Sequence, residues 1–404
     1  MIGETITALA TVHGISGVAV VRVSGPDAFA IVEKVTGAKL KPRQVQFVDF
    51  ELDESVVISF KGPKSYTGED VVEIQCHGGL IVPERIIAAL IKAGARMAKR
   101  GEFTERAYLN GRLDYDQAKA VLALIESKTE RAAKNARERL KGRENAAVKA
   151  LYETALTLSS ELEHALDVDE GDLPEGWLKD KRERLSALGE ALDNELKRLH
   201  ESRLLEEGAL VVIAGEPNAG KSSIMNALLE ENRVIVSEVA GTTRDSVEAW
   251  INLEGWPIRL VDTAGLRDTE DRIELEGVKR ARELMAKADL VIGVDCSEGM
   301  RIHNKCDLSR EDGVLNVSAK TREGIEELKR LIVQELVAKV GDAEDEGLTG
   351  ESLIAARREL VDADDPVLLA NGVRKAAEIL GEALGKVYTA DLLDQLFSRF
   401  CVGK

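Results

Sequence analysis

The sequence predicts a multidomain protein of mixed α+β and α/β architecture, in which a helical domain is interrupted by an inserted α/β domain. A chain of 404 residues, 44% of them hydrophobic, is long enough for roughly two to four packed domains. Short β-rich runs with Gly and Pro turns fill residues 1–115, helical periodicity marks 116–207 and 348–404, and strands alternate with helices over 208–347. The alternative is that two unrelated helical segments flank the α/β domain.

The N-terminal region contains three β-rich runs, Val18–Val23, Val56–Phe60 and Val71–Gln75, and one helical run, Val82–Ala93. Because turn residues bound these runs, each is expected to form a short strand or a single helix. This combination predicts a small α+β domain at 1–115.

The next region has the periodicity of long helices. Apolar residues recur at helical spacing from Leu151 to Leu166, with charged residues between them, which predicts a helix with one buried face. A break at Gly171–Pro174 divides this region into at least two helices. The periodicity resumes over Ser352–Phe400, after an acidic stretch at Gly341–Gly350 that has the composition of a linker.

One connection in the α/β region is unusually short. The strand-like run Leu290–Asp295 is followed by only eight residues before Asn304. Parallel neighbouring strands usually need a crossover of about a dozen residues or more. Either this protein carries a deletion here, or residues are missing from the chain as it stands, which we favour.

Composition excludes several classes of protein. The 55 basic and 72 acidic residues give a net charge of −17, which argues against a protein that coats nucleic acid by bulk charge. The four cysteines show no CxxC spacing, so a zinc knuckle or a disulfide framework is not expected. No apolar run approaches the roughly 20 residues of a membrane span, and the N-terminus lacks the pattern of a signal peptide. We therefore expect a soluble cytoplasmic protein without membrane contact.

The α/β region begins with a phosphate-binding motif. Gly215–Ser222 fits the pattern GxxxxGK[ST] between a strand and a helix. In this motif the glycines let backbone N–H groups surround the phosphates, while Lys221 supplies charge and Ser222 offers a hydroxyl to Mg²⁺.

Three further motifs follow in the order that guanine-nucleotide proteins use. Asp262-Thr263-Ala264-Gly265 ends an apolar run and places Asp262 near Mg²⁺, bound through water. Asp307, in Asn304-Lys305-Cys306-Asp307, can accept from the two N–H groups of guanine, a pair that adenine lacks. Ser318-Ala319-Lys320 can close over the base. The four motifs together predict GTP rather than ATP.

The catalytic arrangement differs from that of small signalling GTPases. Thr243, in the segment Gly241–Asp245, is the residue we expect to bind Mg²⁺ and to sense the γ-phosphate. Leu266 stands where a glutamine would orient the attacking water. The water must therefore be positioned by another group. The acidic candidates are Asp268, Glu270, Asp271, Glu274 and Glu276, and Arg244 or Arg267 is either a cis arginine finger or, more simply, a surface charge.

Taken together, the motifs resemble one family, the tRNA uridine-modification GTPases called MnmE or TrmE. The resemblance covers nearly the whole chain, and its most discriminating parts lie outside the α/β region. They are GVAVVRVSGP at 17–26, YTGEDVVEI at 66–74, GEFTERA at 101–107, LNGRLD at 109–114 and the terminal Cys401-Val402-Gly403-Lys404.

The resemblance implies a second binding site, for a tetrahydrofolate derivative, in an N-terminal domain that also drives homodimerisation. Arg22, Glu73, Arg112 and Lys404 fall on the folate-contact positions of the family, with Arg112 in place of the lysine expected there. Cys401 is implied as a participant in the modification chemistry. Considered without the family, Cys401 would be part of a frayed tail.

The resemblance also implies potassium. Asn218, Ser237, Val239 and Thr242 match its ligands, so K⁺ would stand in for an arginine finger and offset the charge on the phosphates. Glu274 matches the glutamate that orients water, and Lys221, Thr243 and Cys401 complete the expected catalytic set. The residues expected to contact GTP are Asn218, Ala219, Gly220, Lys221, Ser222, Ser223, Ser237, Glu238, Val239, Ala240, Gly241, Thr242, Thr243, Asp262, Thr263, Ala264, Gly265, Asn304, Lys305, Asp307, Ser318, Ala319 and Lys320.

The function implied is a potassium-dependent GTPase that works with a flavoprotein of the MnmG/GidA family. The complex would modify carbon 5 of the wobble uridine, position 34, in certain tRNAs, with a tetrahydrofolate one-carbon donor and with FAD bound only to the partner. The alternative is a ribosome-assembly GTPase whose flanking domains grip RNA. A folate titration discriminates between them, because the ribosome-assembly protein should not bind formyl-tetrahydrofolate.

Overall fold

The protein folds into two compact units, which are described here separately. The structure is a computed structural model. The first unit comprises Met1–Leu122 and Val387–Lys404, and the second comprises Ala123–Lys386. Within them the structure describes residues 3–50, 53–166, 174–232, 248–263, 282–338, 347–363, 365–384, 393 and 396–404.

The first unit is built on a six-stranded sheet with the order β3-β4-β5-β2-β1-β6. Neighbouring strands are antiparallel except β1 and β6, which are parallel. The strands predicted at Val56–Phe60 and Val71–Gln75 are confirmed as β4 and β5. Alternate residues are buried along Val56–Phe60, and in β5 from Val72 onward, as expected for a sheet with one face against a core. The strands are β1 (Ile6–Leu9), β2 (Ala19–Ser24), β3 (Val45–Phe50), β4 (Asp53–Phe60), β5 (Val71–Cys76) and β6 (Arg96–Met97).

Helices cover the core of this sheet. Helix α1 (Ala28–Thr36) and helix α2 (Ile81–Ala93) bury Ile31 and Leu90 in one cluster with Ile74 of β5. Helix α2 confirms the helix predicted at 82–93. Two further helices follow, α3 (Glu102–Leu109) and α4 (Tyr115–Glu126), and α4 leads into the second unit.

The helical part of the second unit has a core to which segments far apart in the chain contribute. Leu158 and Leu192 lie in one buried cluster with Leu380, so helices that precede and follow the α/β region pack together. Leu166, the last residue of its helix, is exposed, whereas Leu151, Leu158 and Leu162 of the predicted stripe are buried. The helices are α5 (Glu130–Leu140), α6 (Arg143–Leu166), α7 (Trp177–Glu207), α10 (Gly347–Glu359) and α11 (Pro366–Leu384).

The α/β part of the second unit is a six-stranded sheet with the order β12-β11-β10-β7-β9-β8. All pairs are parallel except β8 with β9, and the strand predicted before the phosphate-binding motif is the buried strand β7. The elements are β7 (Ala209–Gly215), α8 (Lys221–Asn232), β8 (Glu248–Leu253), β9 (Trp256–Asp262), β10 (Leu290–Val294), β11 (Met300–His303), β12 (Leu315–Asn316) and α9 (Ile325–Ala338).

The short connection in this sheet is closed without a helix. Five residues, 295–299, join β10 to β11, and the two strands still pair in parallel with Ile292 opposite Met300. Gly299 has a φ of 64°, and a Cβ there would lie 2.2 Å from the carbonyl oxygen of Val291. A glycine is therefore required at this turn.

No helix within the described ranges is long and apolar enough to cross a membrane.

Candidate functional site

The phosphate-binding motif, Gly215–Ser222, forms a loop (the phosphate loop) that starts at the carboxyl end of β7 and leads into α8. Its two glycines stand where no side chain fits. A Cβ on Gly215 would lie 2.4 Å from the carbonyl oxygen of Val294, and one on Gly220 would lie 2.2 Å from Nδ2 of Asn304. Both glycines also have positive φ, 149° and 91°. The loop is therefore held close to the neighbouring strand ends, with the N-terminus of a helix behind it to attract an anion.

Lys221 and Ser222 are the first residues of helix α8, and their side chains contact different parts of the site. The Lys221 side chain is buried, and its ammonium donates to the carbonyl oxygens of Gly215 at 3.1 Å and Glu216 at 2.9 Å. The positive charge therefore lies against the backbone of the phosphate loop. The Ser222 hydroxyl donates to Oδ2 of Asp262 at 2.5 Å. Asp262 is the last residue of β9 and lies opposite Ile213 of β7. A hydroxyl and a carboxylate side by side are oxygen donors that fit Mg²⁺.

The guanine-reading motif is tied to the phosphate loop by two side chains. Asn304 donates through Nδ2 to the carbonyl oxygen of Ala219 at 2.8 Å, and Lys305 donates through Nζ to that of Asn218 at 2.9 Å. The Asn304 Oδ1 is buried and has no hydrogen-bond partner among the described residues. An unpaired buried oxygen is costly, so this site is suited to a ligand that donates a hydrogen bond.

Asp307 is fixed by the segment that was expected to close over the base. The Ser318 hydroxyl donates to Oδ1 of Asp307 at 2.7 Å, and this hydrogen bond, aided by the charge of Lys320, lowers the pKa of Asp307. The carboxylate is therefore kept ionised, as an acceptor for two N–H groups must be. Ser318 is buried, whereas Asp307 is exposed.

The structure brings together the expected contact residues on four segments of the α/β region, and others lie outside what it describes. Ser223 follows Ser222 in the first turn of α8, Thr263 donates to the carbonyl oxygen of Ile213 at 3.1 Å, and Ala319 is half-buried beside Ser318. The expected residues outside the described ranges are Ser237, Glu238, Val239, Ala240, Gly241, Thr242, Thr243, Ala264, Gly265 and Glu274, with the alternatives Arg244, Arg267, Asp268, Glu270, Asp271 and Glu276.

A second polar site lies in the first unit, around Arg22. Arg22 and Glu73 are paired across β2 and β5, and Arg22 donates through Nε and Nη2 to Oε1 of Glu73 at 3.0 and 2.8 Å. The Arg22 guanidinium also lies 5.4 Å from the centre of the Tyr66 ring and 5.6 Å from that of Phe103. These contacts fix the plane of the guanidinium and leave Nη1 directed toward the chain terminus, where it is 3.4 Å from the carbonyl oxygen of Gly403.

The C-terminal residues are anchored in this site. Lys404 accepts through its carbonyl oxygen from the N–H of Phe103 at 3.2 Å, and a Cβ on Gly403 would lie 2.1 Å from the carbonyl oxygen of Leu9. Burial, and then the charge of Arg22, lowers the pKa of the Lys404 ammonium. Cys401 is exposed. Ordered contacts thus replace the frayed tail that sequence alone would give.

Three of the four residues expected to contact folate come together here. Arg22, Glu73 and Lys404 are neighbours, because the charges of Arg22 and Glu73 both act on Lys404. Arg112 is exposed and covers Gly68, whose Cβ would lie 3.1 Å from Cγ of Arg112.

Sequence reasoning missed a buried ion network in the same unit. The Arg106 guanidinium donates to Oε2 of Glu69 and Oε1 of Glu102, each at 3.0 Å, and Arg96 donates to both oxygens of Glu102 at 2.8 and 2.5 Å. Burial would raise the pKa of Glu102, but these hydrogen bonds and that of the Lys99 N–H outweigh it and lower the pKa to about 2. The only sequence signal was the spacing of four between Glu102 and Arg106 on a helix. The network links the turn at 66–69 to helix α3. These two segments contain Tyr66 and Phe103, whose rings pack against the Arg22 guanidinium.

The strand–loop–helix that begins with Lys221, the aspartate at the end of the adjacent strand, and the Asn304–Asp307 loop define a P-loop nucleotide-binding protein of the guanine-specific kind. The family comparisons narrow this class. Residues 5–112 match the family model of the "GTP-binding protein TrmE N-terminus", and residues 116–401 match that of the "MnmE helical domain". The chain belongs to the tRNA modification GTPase MnmE family.

Individual relatives agree with this assignment over their whole length. The chain is 37% identical to the tRNA modification GTPase MnmE of Aquifex aeolicus (strain VF5) over 450 aligned positions, which cover 99% of this chain and 100% of the relative. It is 38% identical to the MnmE of Symbiobacterium thermophilum over 461 positions, with 99% of each chain covered. Alignments of this length require gaps in a chain of 404 residues. The relatives therefore contain residues that this chain lacks.

Among solved structures, the G domain of the T. maritima FeoB iron transporter is 27% identical and covers 31% of this chain and 98% of that domain, with a TM-score of 0.23. A TM-score this low carries no conclusion about the fold.

Proposed function

We propose that this protein is a potassium-dependent GTPase that, with a flavoprotein partner, modifies carbon 5 of the wobble uridine of certain tRNAs. As a member of the MnmE family, the chain is a GTP hydrolase that acts in tRNA modification. The observation that carries the finer proposal is the site in the first unit, where Arg22, Glu73 and Lys404 meet at the anchored chain terminus. A switch protein that only grips RNA has no need of such a site.

The nucleotide part of the proposal rests on the contacts within the second unit. Lys221 would hold the phosphates, and Asp307, kept ionised by Ser318, would accept hydrogen bonds from guanine; the contacts of Lys221 with the loop and of Ser318 with Asp307 support these roles. Ser222 and Asp262 would hold Mg²⁺, directly and through water, and the ion would supply charge to the β and γ phosphates. Thr243 is proposed as a further Mg²⁺ ligand, and Glu274 as the residue that orients the attacking water.

Potassium is proposed because no glutamine follows the Asp262–Gly265 motif. Leu266 cannot orient water or carry charge, so another cation must offset the charge that develops on the phosphates. Asn218 is the described member of the proposed ligand set. Asn218 has a φ of 66°, and its carbonyl oxygen accepts a hydrogen bond from Nζ of Lys305. These two features fix the backbone from which the Asn218 side chain would reach the ion. Ser237, Val239 and Thr242 are the other proposed ligands.

The folate part rests on charge and burial. Arg22 and Lys404 place two cations within one half-buried site, where burial and then the charge of Arg22 lower the pKa of Lys404. An anionic ligand would relieve this repulsion, and the carboxylates of a tetrahydrofolate derivative supply such a charge. Arg112 would act from the turn beside Gly68, and the exposed Cys401 is proposed to take part in the modification of uridine.

The proposed domain organisation follows the boundaries that the sequence predicts. Residues 1–115 would form the folate-binding and dimerisation domain, 116–207 with 348–404 the helical domain, and 208–347 an inserted GTPase domain. The buried cluster that joins Leu158 to Leu380 supports the insertion. The protein would be a cytoplasmic homodimer that meets tRNA with a flavoprotein of the MnmG/GidA family, the only subunit to carry FAD.

Two measurements on the full chain test the proposal. GTP hydrolysis should be faster in KCl than in NaCl at equal ionic strength, and equal rates would exclude potassium as the missing cation. A titration with formyl-tetrahydrofolate should show saturable binding that weakens in Lys404→Gln but not in Lys99→Gln, an exposed lysine outside the site. Binding that is absent, or equal in the two variants, would contradict the folate site.

A further inference from the structure

Three side chains with metal-binding atoms converge at the carboxyl ends of β10 and β11. Asp295 follows β10, His303 is the last residue of β11, and Glu311 lies in the loop before β12. One ligand atom of each lies within 4.8 Å of the others. The His303 Nδ1 is 2.7 Å from Oδ1 of Asp295 and 3.8 Å from Oε2 of Glu311.

The other ring nitrogen of His303 shows how the imidazole is oriented. Nε2 lies 3.0 Å from the carbonyl oxygen of Ser309, and a carbonyl oxygen can only accept. The Ser309 hydroxyl lies 3.3 Å from the same nitrogen. In the tautomer with its proton on Nε2, the ring donates to the Ser309 carbonyl oxygen, and a cation at Nδ1 would take the place of the hydrogen bond between Nδ1 and Asp295. A histidine that ligates a metal almost always donates its second N–H to a carbonyl or a carboxylate in this way. This contact is independent of the two acidic residues and suits an imidazole that ligates through Nδ1.

We propose that Asp295, His303 and Glu311 bind a divalent first-row transition cation of the Zn²⁺ type. One imidazole nitrogen and two carboxylate oxygens form a donor set that such ions accept, with water in the remaining position. Bonds of roughly 2.1 Å in a tetrahedral site place ligand atoms about 3.4 Å apart, and the observed 2.7 and 3.8 Å lie on either side of this value.

The surroundings leave room for the ion. The side chains of Asp295, His303 and Glu311 are 34%, 17% and 36% exposed, so an ion from solvent can reach them. Arg301 binds Glu311 through Oε1 at 2.5 Å, which leaves Oε2 directed toward His303. The guanidinium lowers the net negative charge of the site but does not occupy the position of the ion.

The site adjoins the guanine-reading loop without being part of it. The backbone N–H of Asn304, the residue after His303, donates to Oδ1 of Asp295 at 3.3 Å. A bound ion would join the ends of β10 and β11 where the short 295–299 connection replaces a crossover helix. The proposal does not rest on the function proposed above, since it concerns only these three side chains.

The test is calorimetric titration of the nucleotide-free full chain with Zn²⁺, in an excess of Mg²⁺ to occupy the hard oxygen site and with Cys401→Ser as background. One equivalent should bind, with an affinity that rises with pH because the imidazole must be neutral. His303→Gln and Glu311→Gln should each weaken binding by at least about tenfold, the lower end of what even an outer-shell loss costs.

The matched control is His77→Gln. His77 forms a similar short pair with a carboxylate, 2.6 Å from Nδ1 to Oδ1 of Asp53, and among the described residues no third metal-ligating side chain joins this pair. Zn²⁺ affinity should be unchanged in this variant. Absence of saturable binding to the parent chain, or equal affinity in the His303→Gln and His77→Gln variants, would overturn the proposal and leave an ordinary ion pair. Asp307→Asn should leave Zn²⁺ binding intact, which separates this site from the guanine site.

Discussion

Gly220→Ala should strongly weaken nucleotide binding, because the phosphate loop has no room for one methyl group at this position. The new Cβ would lie 2.2 Å from Nδ2 of Asn304, and that amide is buried and already bonded to the carbonyl oxygen of Ala219. The backbone at Gly220 also has a φ of 91°, which an L side chain rarely adopts. The variant loop must leave the binding conformation, and the nucleotide must restore it.

The two costs can be added. Holding a non-glycine residue in this backbone region costs about 1–3 kcal/mol, and displacing the Asn304 amide forfeits a hydrogen bond worth about 0.5–1.5 kcal/mol. A total of about 1.5–4.5 kcal/mol corresponds to a Kd that is roughly 10- to 2000-fold higher. The assay is titration with a fluorescent GDP analogue in the presence of Mg²⁺, with thermal unfolding to check that the variant is folded.

Two control variants separate the cost of the strained backbone from the cost of the steric clash with Asn304. Gly313 has a φ of 80°, and no described atom lies within 4 Å of its Cβ position, so Gly313→Ala carries only the backbone cost and should leave GDP affinity unchanged. In Gly220→Ala/Asn304→Ala the colliding amide is gone, so the double variant should lose less affinity than the two single variants together. A Gly220→Ala variant that binds GDP within about twofold of the parent chain, or strict additivity in the double variant, would refute this reasoning.

Three further predictions concern other sites. Asp307→Asn replaces one of two acceptor oxygens with a donor, so GDP affinity should fall by at least about 100-fold while xanthosine diphosphate gains in competition; unchanged guanine preference would exclude Asp307 as the reader. The pKa of Glu102, lowered to about 2, means that its ion pairs stabilise the fold above pH 4.5 and are lost as the pH falls from 4.5 toward 2. Urea unfolding should show a loss of about 3 kcal/mol over this range, largely absent in Glu102→Gln, and a variant with the same pH slope would contradict the account. Burial raises the pKa of Cys76 to about 11, so iodoacetamide at pH 8 should label the exposed Cys401 and spare Cys76, as read by peptide mass spectrometry; equal labelling would show that the thiol is accessible.

The nucleotide site could be predicted from sequence because its chemistry is local. The loop from Gly215 to Lys221 must join a strand to a helix with backbone approaching an anion, and only glycine fits the positions in contact with Val294 and Asn304. The buried strand that precedes the loop was equally visible, because a central parallel strand is apolar on both faces.

Contacts between distant segments could not be read from spacing. The Asn304 amide reaches Ala219 across 85 positions, and Arg22 reaches Gly403 across 381. Periodicity and composition contain no information on such pairs, so the tail could be placed only through the family resemblance. The ion network of Arg106 was missed for a related reason, since a buried charge looks like a surface charge until its partners are known.

The connection between β10 and β11 shows a limit of general rules. The expectation of a crossover of about a dozen residues is correct for most parallel pairs. Here a turn of five residues, with Asp295 and Gly299 both at positive φ, brings the strands together. A rule about typical lengths cannot anticipate a turn that depends on one glycine against the backbone of Val291.

The most direct test of the account is nucleoside analysis of tRNA from cells that lack the gene for this chain. Wobble uridines should lose their modification at carbon 5, regain it with the intact gene, and remain unmodified with a gene encoding Lys221→Ala, since Lys221 contacts the phosphate loop and is the residue proposed to hold the phosphates during GTP hydrolysis. Wobble uridines that are unchanged in the deletion strain would contradict the account, even if the purified protein hydrolyses GTP.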